Sequence, residues 1–169
     1  LQLCRLHGTQ NSVFLFGSTS KVTLAGAGIS FLGGSTANIE HFLEQMACWT
    51  IGPDKLNQLR HARLLPDLAA TKKHMQQHAE ITRPKFELVL KKLEESFRDQ
   101  EMGSWISPEG GYFVSFDTLP GHAKEIVRLA AEAGVKMTPA GSTFPYGIDP
   151  EDKNIRLSPT FPAIEDLSM

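Results

Sequence analysis

GSTSKVTLAGAGISF, residues 17–31, sets one lysine in a run of small and apolar residues. Lys21 is the only charged side chain between Arg5 and Glu40. Two readings are open at this point. A lysine in a Gly/Ala-rich loop is commonly a surface residue; the same surroundings can also desolvate an amine and let a bound group approach the backbone.

The flanks of this stretch alternate between strand and helix patterns. Upstream, SVFLF (12–16) is a short apolar, β-branched and aromatic run closed by Gly17, which predicts a buried strand ending just before Lys21. Downstream, AGISFL (27–32) predicts a second strand. Ile39, Phe42, Leu43, Met46 and Ala47 then recur at helical spacing, with Ser35 or Thr36 as the cap. GPDKLNQLRHARLLPD (52–67) predicts a helix with Pro53 in its first turn and Pro66 at its stop. A long helix is expected from about Asp67 to Gln100, with Leu68, Met75, Phe86, Val89, Leu90, Leu93 and Phe97 on its apolar stripe and a kink or break at Pro84. Beyond it, GGYFVSF (110–116), GVKMTP (134–139) and NIRLSP (154–159) read as strands. A helix is expected over residues 120–133, and FPAIEDL opens a last one.

Composition narrows the class. The 169 residues are 41% hydrophobic and 21% charged, as in a soluble globular protein of one domain or parts of two. A net charge of −2 and a pI near 6.3 leave no global basic surface for nucleic acid. Cys4 and Cys48 are the only cysteines and lack metal-module spacing, which suits a reducing, cytoplasmic setting. No apolar run is long enough to cross a bilayer, and LQLCRLHGTQ lacks the order of a signal peptide. Leu1 and the closing SerMet both look abrupt, so a piece of a longer protein is expected.

Far downstream, Arg156 in IRLSPTFP alternates with Ile155 and Leu157, which points its guanidinium away from the core. It is either a solvated charge or a fork for a carboxylate. His74 and His78 stand four apart on the long helix without the glutamate of a zinc-protease motif, so a solvated face is expected and no metal site. KKLEES (91–96) reads as a solvated face with helical ion pairs.

Taken in order, STSKVTLAGAG, EGGYFVSF, TPAGSTFPYG and IRLSPTFP resemble the carboxyl-terminal part of the fold-type I pyridoxal-phosphate-dependent aminotransferases (class I/II), in the aspartate-aminotransferase-like, MocR-like branch. The resemblance covers essentially the whole chain. It implies an α/β fold: residues 1–75 as the end of the large cofactor-binding domain, and residues 76–169 as a long connecting helix and the small α+β domain. It implies that Lys21 holds pyridoxal 5'-phosphate as a Schiff base, and that Ser18 and Ser20 attend the cofactor phosphate. Arg156 is implied to grip the substrate α-carboxylate, while Gly110 and Gly111 line the active-site mouth and Tyr112 and Tyr146 its wall.

It further implies amino-acid and 2-oxo-acid substrates, aspartate or glutamate first among them, a cytoplasmic homodimer, and no nucleic-acid or membrane partner. KLNQLRHAR (55–63) reads as a polar helix face, or else, as in such dimers, Lys55, Asn57, Gln58 or Arg60 would approach the partner's site. One departure stands out. Where many relatives carry a phosphate-binding arginine after the lysine, this chain has Gly28 and Ile29, and the next basic residue is Lys55. The groups expected at the pyridine nitrogen and ring face are not in this chain. The competing implication is an aminotransferase-like sensor domain of a DNA-binding regulator, with pyridoxal phosphate as effector.

Overall fold

A computed structural model describes residues 1–98 and 100–168. Helices and strands alternate in a mixed α/β chain that divides into two compact units, residues 1–77 and 78–169.

In the first unit, a short helix α1 (Gln2–Leu6) and a 3-10 turn (Gln10–Ser12) lead into an antiparallel ribbon of β1 (Leu15–Ser18) and β2 (Ser30–Gly33). Leu15 is opposite Gly33 and Ser18 opposite Ser30, so residues 19–29, Lys21 included, form the loop joining the two strands. The 12–16 run was expected to be a buried strand. The strand starts later, because Ser12 closes the 3-10 turn on the Thr9 carbonyl, and it is exposed: Phe16 retains 79% of its accessible surface. A two-stranded ribbon does not supply the two covering layers that burial of both faces requires.

Helix α2 (Thr36–Met46) follows, its first turn capped by the Ser35 hydroxyl, which accepts the Asn38 N–H at 3.2 Å. Helix α3 (Lys55–Leu64) is capped by Asp54, whose carboxylate accepts the Asn57 N–H at 3.0 Å; Pro53 thus precedes the cap rather than opening the first turn. Asp67 caps α4 (Leu68–Phe97) in the same way through the Ala70 N–H at 2.7 Å. Pro84 does not divide α4, which continues as one helix through it. The lost N–H and the ring's crowding of the previous turn are offset by the packing of Phe86, Val89, Leu90, Leu93 and Phe97 immediately beyond.

The second unit holds the apolar core. Val114, Phe116, Ala123, Ile155 and Leu93 are buried at its centre, with Trp105, Val127, Met137, Ala140 and Leu157 packed around them. Three antiparallel strands run in the order β3 (Gly103–Trp105), β4 (Val114–Thr118), β5 (Asn154–Leu157), and helix α5 (Ala123–Glu132) buries Ala123. The strand expected over 110–116 begins at Val114, since Gly111 has φ +91°, outside strand geometry. Residues 134–139 are not a strand. Gly134, at φ +89°, ends α5 in a Schellman turn: its N–H reaches the Ala131 carbonyl and the Val135 N–H reaches Ala130. A last helix α6 spans Ile164–Ser168, and Lys85 on α4 donates to the carbonyls of Thr160 and Pro162 at 2.9 and 2.6 Å. Among the described residues no helix is long and apolar enough to cross a membrane.

The turn leading into β5 is organised by one buried carboxylate. Asp149 accepts N–H bonds from Asn154 (2.8 Å), Lys153 (2.9 Å) and Glu151 (3.0 Å). The Asn154 bond foremost, then those from Lys153 and Glu151, hold its pKa below the usual carboxylate value against the opposing effect of burial. Because folding depresses this pKa, the stabilisation is complete above the pKa of an unfolded Asp, about 3.9, and fades as the pH falls through the lower folded value. Asp149→Asn is therefore expected to lower the melting temperature most near neutral pH, with the gap to the unaltered protein narrowing below about pH 4. Thermal melts across pH check this; a constant gap would refute it.

In the first unit the loop's tightest contact is Gly28 on Ser20. A Cβ at Gly28 would stand 2.8 Å from Ser20 Oγ and 2.9 Å from its backbone N and Cα, whereas one at Gly52 meets nothing within 4 Å. Gly28→Ala should cost about 1–3 kcal/mol, as overpacking does. Gly52→Ala should stay within about 0.5 kcal/mol, as surface substitutions do. Denaturant titration of the two variants tests the contrast.

Candidate functional site

The loop carrying Lys21 is built on Thr19. Its N–H donates to the Ile29 carbonyl at 2.9 Å and its hydroxyl accepts the Ile29 N–H at 2.9 Å, which extends the ribbon's pairing past Ser18. Its carbonyl accepts the N–H groups of Val22 (2.8 Å) and Thr23 (2.9 Å), curling residues 19–23 into one tight turn with Lys21 near its middle. The backbone there is set by hydrogen bonds, since its small residues offer little to pack.

Ser18 and Ser20 sit on the same turn. Their hydroxyls are 2.7 Å apart, and the Ser20 N–H donates to Ser18 Oγ at 3.1 Å. Both serines and Lys21 are exposed. The sequence-predicted residues Ser18, Ser20 and Lys21 are thus gathered on one surface: an amine, two hydroxyls and a backbone that has room only for glycine at position 28.

Behind the turn lies a group that sequence reasoning passed over. His61 on α3 is buried, with Nε2 2.9 Å from the Thr23 hydroxyl and 3.2 Å from that of Thr19, while Nδ1 is 2.9 Å from the Asn57 carbonyl. The Asn57 side chain donates to the carbonyls of Ala27 (2.8 Å) and Gly28 (3.3 Å). The one available signal was the four-residue spacing of Asn57 and His61, which puts both on one face of α3; nothing in composition marks that face as buried. Of the residues expected near a partner's site, Asn57 is engaged within its own chain, and Lys55, Gln58 and Arg60 are exposed on α3. Further along, the His74 ring is 2.8 Å from the Val22 carbonyl, against the solvated face expected.

The second unit carries Arg156. In the β4–β5 register Phe116 is opposite Ile155 on the core side, and Ser115 opposite Arg156 on the other. The Arg156 guanidinium lies 4.5 Å from the centre of the Phe113 ring, and one of its terminal nitrogens is 3.4 Å from the Thr138 hydroxyl. Its Nε is buried with no hydrogen-bond partner, and no carboxylate pairs with the group among the described residues. A buried N–H without an acceptor is costly, and a guanidinium can donate two parallel hydrogen bonds to a planar anion.

Gly110 and Gly111 form one wall of a groove with Pro108 and Glu109, opposite Ala79, Thr82, Arg83 and Phe86 of α4. Tyr112 beside them is half-buried. Tyr146 is fully exposed at φ +58°, on a loop pinched where Gly141 meets the Gly147 carbonyl. Among the described residues, no three His, Cys, Asp or Glu side chains cluster as a metal site would need.

Comparison with known proteins agrees along the whole length. The family model described as aspartate amino-transferase matches residues 1–169. A Mycolicibacterium smegmatis protein described as an aminotransferase is 50% identical over 167 residues, which are 99% of this chain and 39% of that one. An aspartate aminotransferase of Corynebacterium glutamicum is 43% identical over 162 residues, 96% of this chain and 38% of that one. The crystal structure of an aspartate transaminase of C. glutamicum superposes with a TM-score of 0.94 at 42% identity, covering 99% of this chain and 39% of that chain. The chain therefore spans about two-fifths of the length of the relatives it matches, and its fold is that of the fold-type I aminotransferases. On this agreement of motif order, fold and sequence, the chain belongs to the aspartate aminotransferase family.

Proposed function

We propose that this chain is part of a pyridoxal-phosphate-dependent aminotransferase that moves an amino group from an α-amino acid, aspartate or glutamate first, to a 2-oxo acid. The observation that carries this reading is the Lys21 turn: in a chain of this family, one lysine amine shares a hydrogen-bonded turn with the hydroxyls of Ser18 and Ser20. That donor set fits the cofactor. An amine can bond its aldehyde as a Schiff base, and two hydroxyls with the Ser20 region of the backbone can serve a phosphate ester without the cation that relatives place there. The half-buried guanidinium of Arg156, paired with no carboxylate among the described residues, fits a substrate α-carboxylate.

Pyridoxal phosphate, when bound, supplies the conjugated ring that takes up the electron pair left on the substrate Cα. The protein's part is positional. Lys21 would have to be neutral to bond the cofactor's aldehyde, and its amine would be the group that carries a proton at the substrate Cα. Ser18 and Ser20 would hold the phosphate, so the distance from phosphate anchor to amine is set within four consecutive residues, from the end of β1 into the turn. Arg156 orients the substrate by two parallel hydrogen bonds to its carboxylate, and Gly111 and Tyr112 contribute to the wall that accepts it.

Within this reading, residues 1–75 belong to the large cofactor-binding domain and residues 76–169 to the connecting helix and small domain. The whole protein acts as a homodimer in the cytoplasm, a setting in keeping with the free thiols of Cys4 and Cys48. The regulator alternative is not favoured, because the relatives named above are described as aminotransferases.

In the full-length protein, pyridoxal phosphate should produce an absorbance band above about 400 nm that borohydride fixes onto Lys21, as a lysine-bound cofactor requires. Lys21→Ala should lose the band and about 10²–10⁴-fold in kcat, the range for a positioned proton-transfer group. Arg156→Lys should keep the band and lose about 10–100-fold in kcat/KM, the worth of charged hydrogen bonds. Label found on another lysine would sink the proposal.

A further inference from the structure

The clamp behind the Lys21 turn has a chemical direction. A backbone carbonyl can only accept, so the 2.9 Å contact between His61 Nδ1 and the Asn57 carbonyl puts the ring hydrogen on Nδ1. In the neutral ring Nε2 is then an acceptor, and it faces the hydroxyls of Thr19 and Thr23. Those two residues are the arms of the turn, two positions before Lys21 and two after it. His61 is the one residue of α3 that is buried, and it lies outside the chain's apolar core cluster. Burying a polar ring is unfavourable unless both nitrogens are bonded, and here both are. The same helix presents Asn57 to the carbonyls of Ala27 and Gly28. Gly28 is in turn the residue packed directly against Ser20.

We infer that His61 is a positioning residue for Lys21: its imidazole, polarised by the Asn57 carbonyl, ties the two arms of the turn together and so fixes the direction in which the lysine amine leaves the backbone. This rests on the reading of Lys21 as the cofactor-bearing lysine. A hydrophobic residue of similar volume would fill the same space and leave the turn held only by its own bonds between Thr19, Val22 and Thr23. Asparagine and glutamine separate the two halves of the clamp. The amide of His61→Asn reaches the position of Nδ1 and keeps the bond to Asn57 while the threonines lose their partner. The longer amide of His61→Gln reaches the position of Nε2 and keeps the threonines. Thr23→Val removes the closer hydroxyl with little change of shape, and with it that hydroxyl's contacts to the Thr19 carbonyl (3.1 Å) and hydroxyl (3.2 Å) as well as to His61.

The test uses the full-length protein with pyridoxal phosphate, reading the position and intensity of the band above 400 nm at a fixed cofactor concentration, borohydride labelling of Lys21, and kcat and KM. His61→Asn and Thr23→Val should weaken and shift the band. They should lower kcat about tenfold or more with KM changed less than about twofold, as a displaced reacting group does. His61→Gln should restore the band and bring kcat to within about threefold of the unaltered protein. Should His61→Asn fail to fold, His61→Leu, which fills the space without a ring nitrogen, takes its place and is expected to behave as the Asn variant. If Lys21 is labelled in the unaltered protein but the band and kcat are untouched in the Asn and Val variants, or the Gln variant is as impaired as the Asn one, His61 only fills space and the inference is wrong. If Lys21 is not labelled in the unaltered protein, the aminotransferase reading itself has failed and this inference falls with it.

Discussion

Thr19 makes the first unit possible as a functional scaffold, because its backbone and hydroxyl each take part in more than one hydrogen bond. One side of the residue continues the ribbon by pairing with Ile29, and the other closes the turn on Val22 and Thr23. A loop of glycine, alanine and serine has almost no side-chain surface with which to hold a shape, so its conformation has to come from directional bonds. The surrounding sequence follows from that requirement. Gly28 is small because Ser20 lies against it, and Asn57 and His61 of α3 are polar because they complete the loop's hydrogen bonding from behind. Serine and lysine side chains can then face solvent and ligand without holding the loop together.

The second unit is organised on the opposite principle. There the backbone is fixed by an apolar centre, with Val114, Phe116 and Ile155 alternating inward along β4 and β5 and α4 lying across them. The outward positions of the same strands are released from packing duty. Arg156 occupies one of them and rests on Phe113, so a rigid sheet delivers a charged group whose Nε is buried and unpaired. An unmet donor of this kind is rare in a folded chain and calls for an explanation, which the carboxylate-binding role proposed for Arg156 would supply.

The longer helices were largely legible in the sequence, where period and stop agree, whereas the five-residue α1 is too short to carry a period. Ser35 begins α2, Pro66 follows α3, and the stripe from Phe86 to Phe97 marks the buried side of α4. Strand limits were less legible. The run 12–16 contains the right residue types, but a 3-10 turn consumes its start. The run 134–139 carries the β-branched pattern, yet Gly134 ends a helix there and Met137 packs without pairing. β3 was missed because three residues carry no period; Gly103 is required there by the Phe116 ring, which a Cβ would approach to 2.5 Å. Of the candidate site, Ser18, Lys21 and Arg156 were singled out from motif order, and the His61 clamp was not. It joins residues 42 apart in the chain through single polar atoms, a relation that leaves no local pattern.

The bond pair made by Lys85 connects α4 to a segment 75 and 77 residues later in the chain. Two carbonyls of a proline-containing stretch share one ammonium group, so this charge is spent on backbone that would otherwise hold to nothing but water. Such a contact closes a very long loop, so the entropy of ordering it is met by the sheet and helix that lie between rather than by the ammonium alone. The segment that follows Arg156 is thereby tied back to α4, and the end of β5 is anchored from beyond as well as from within the sheet.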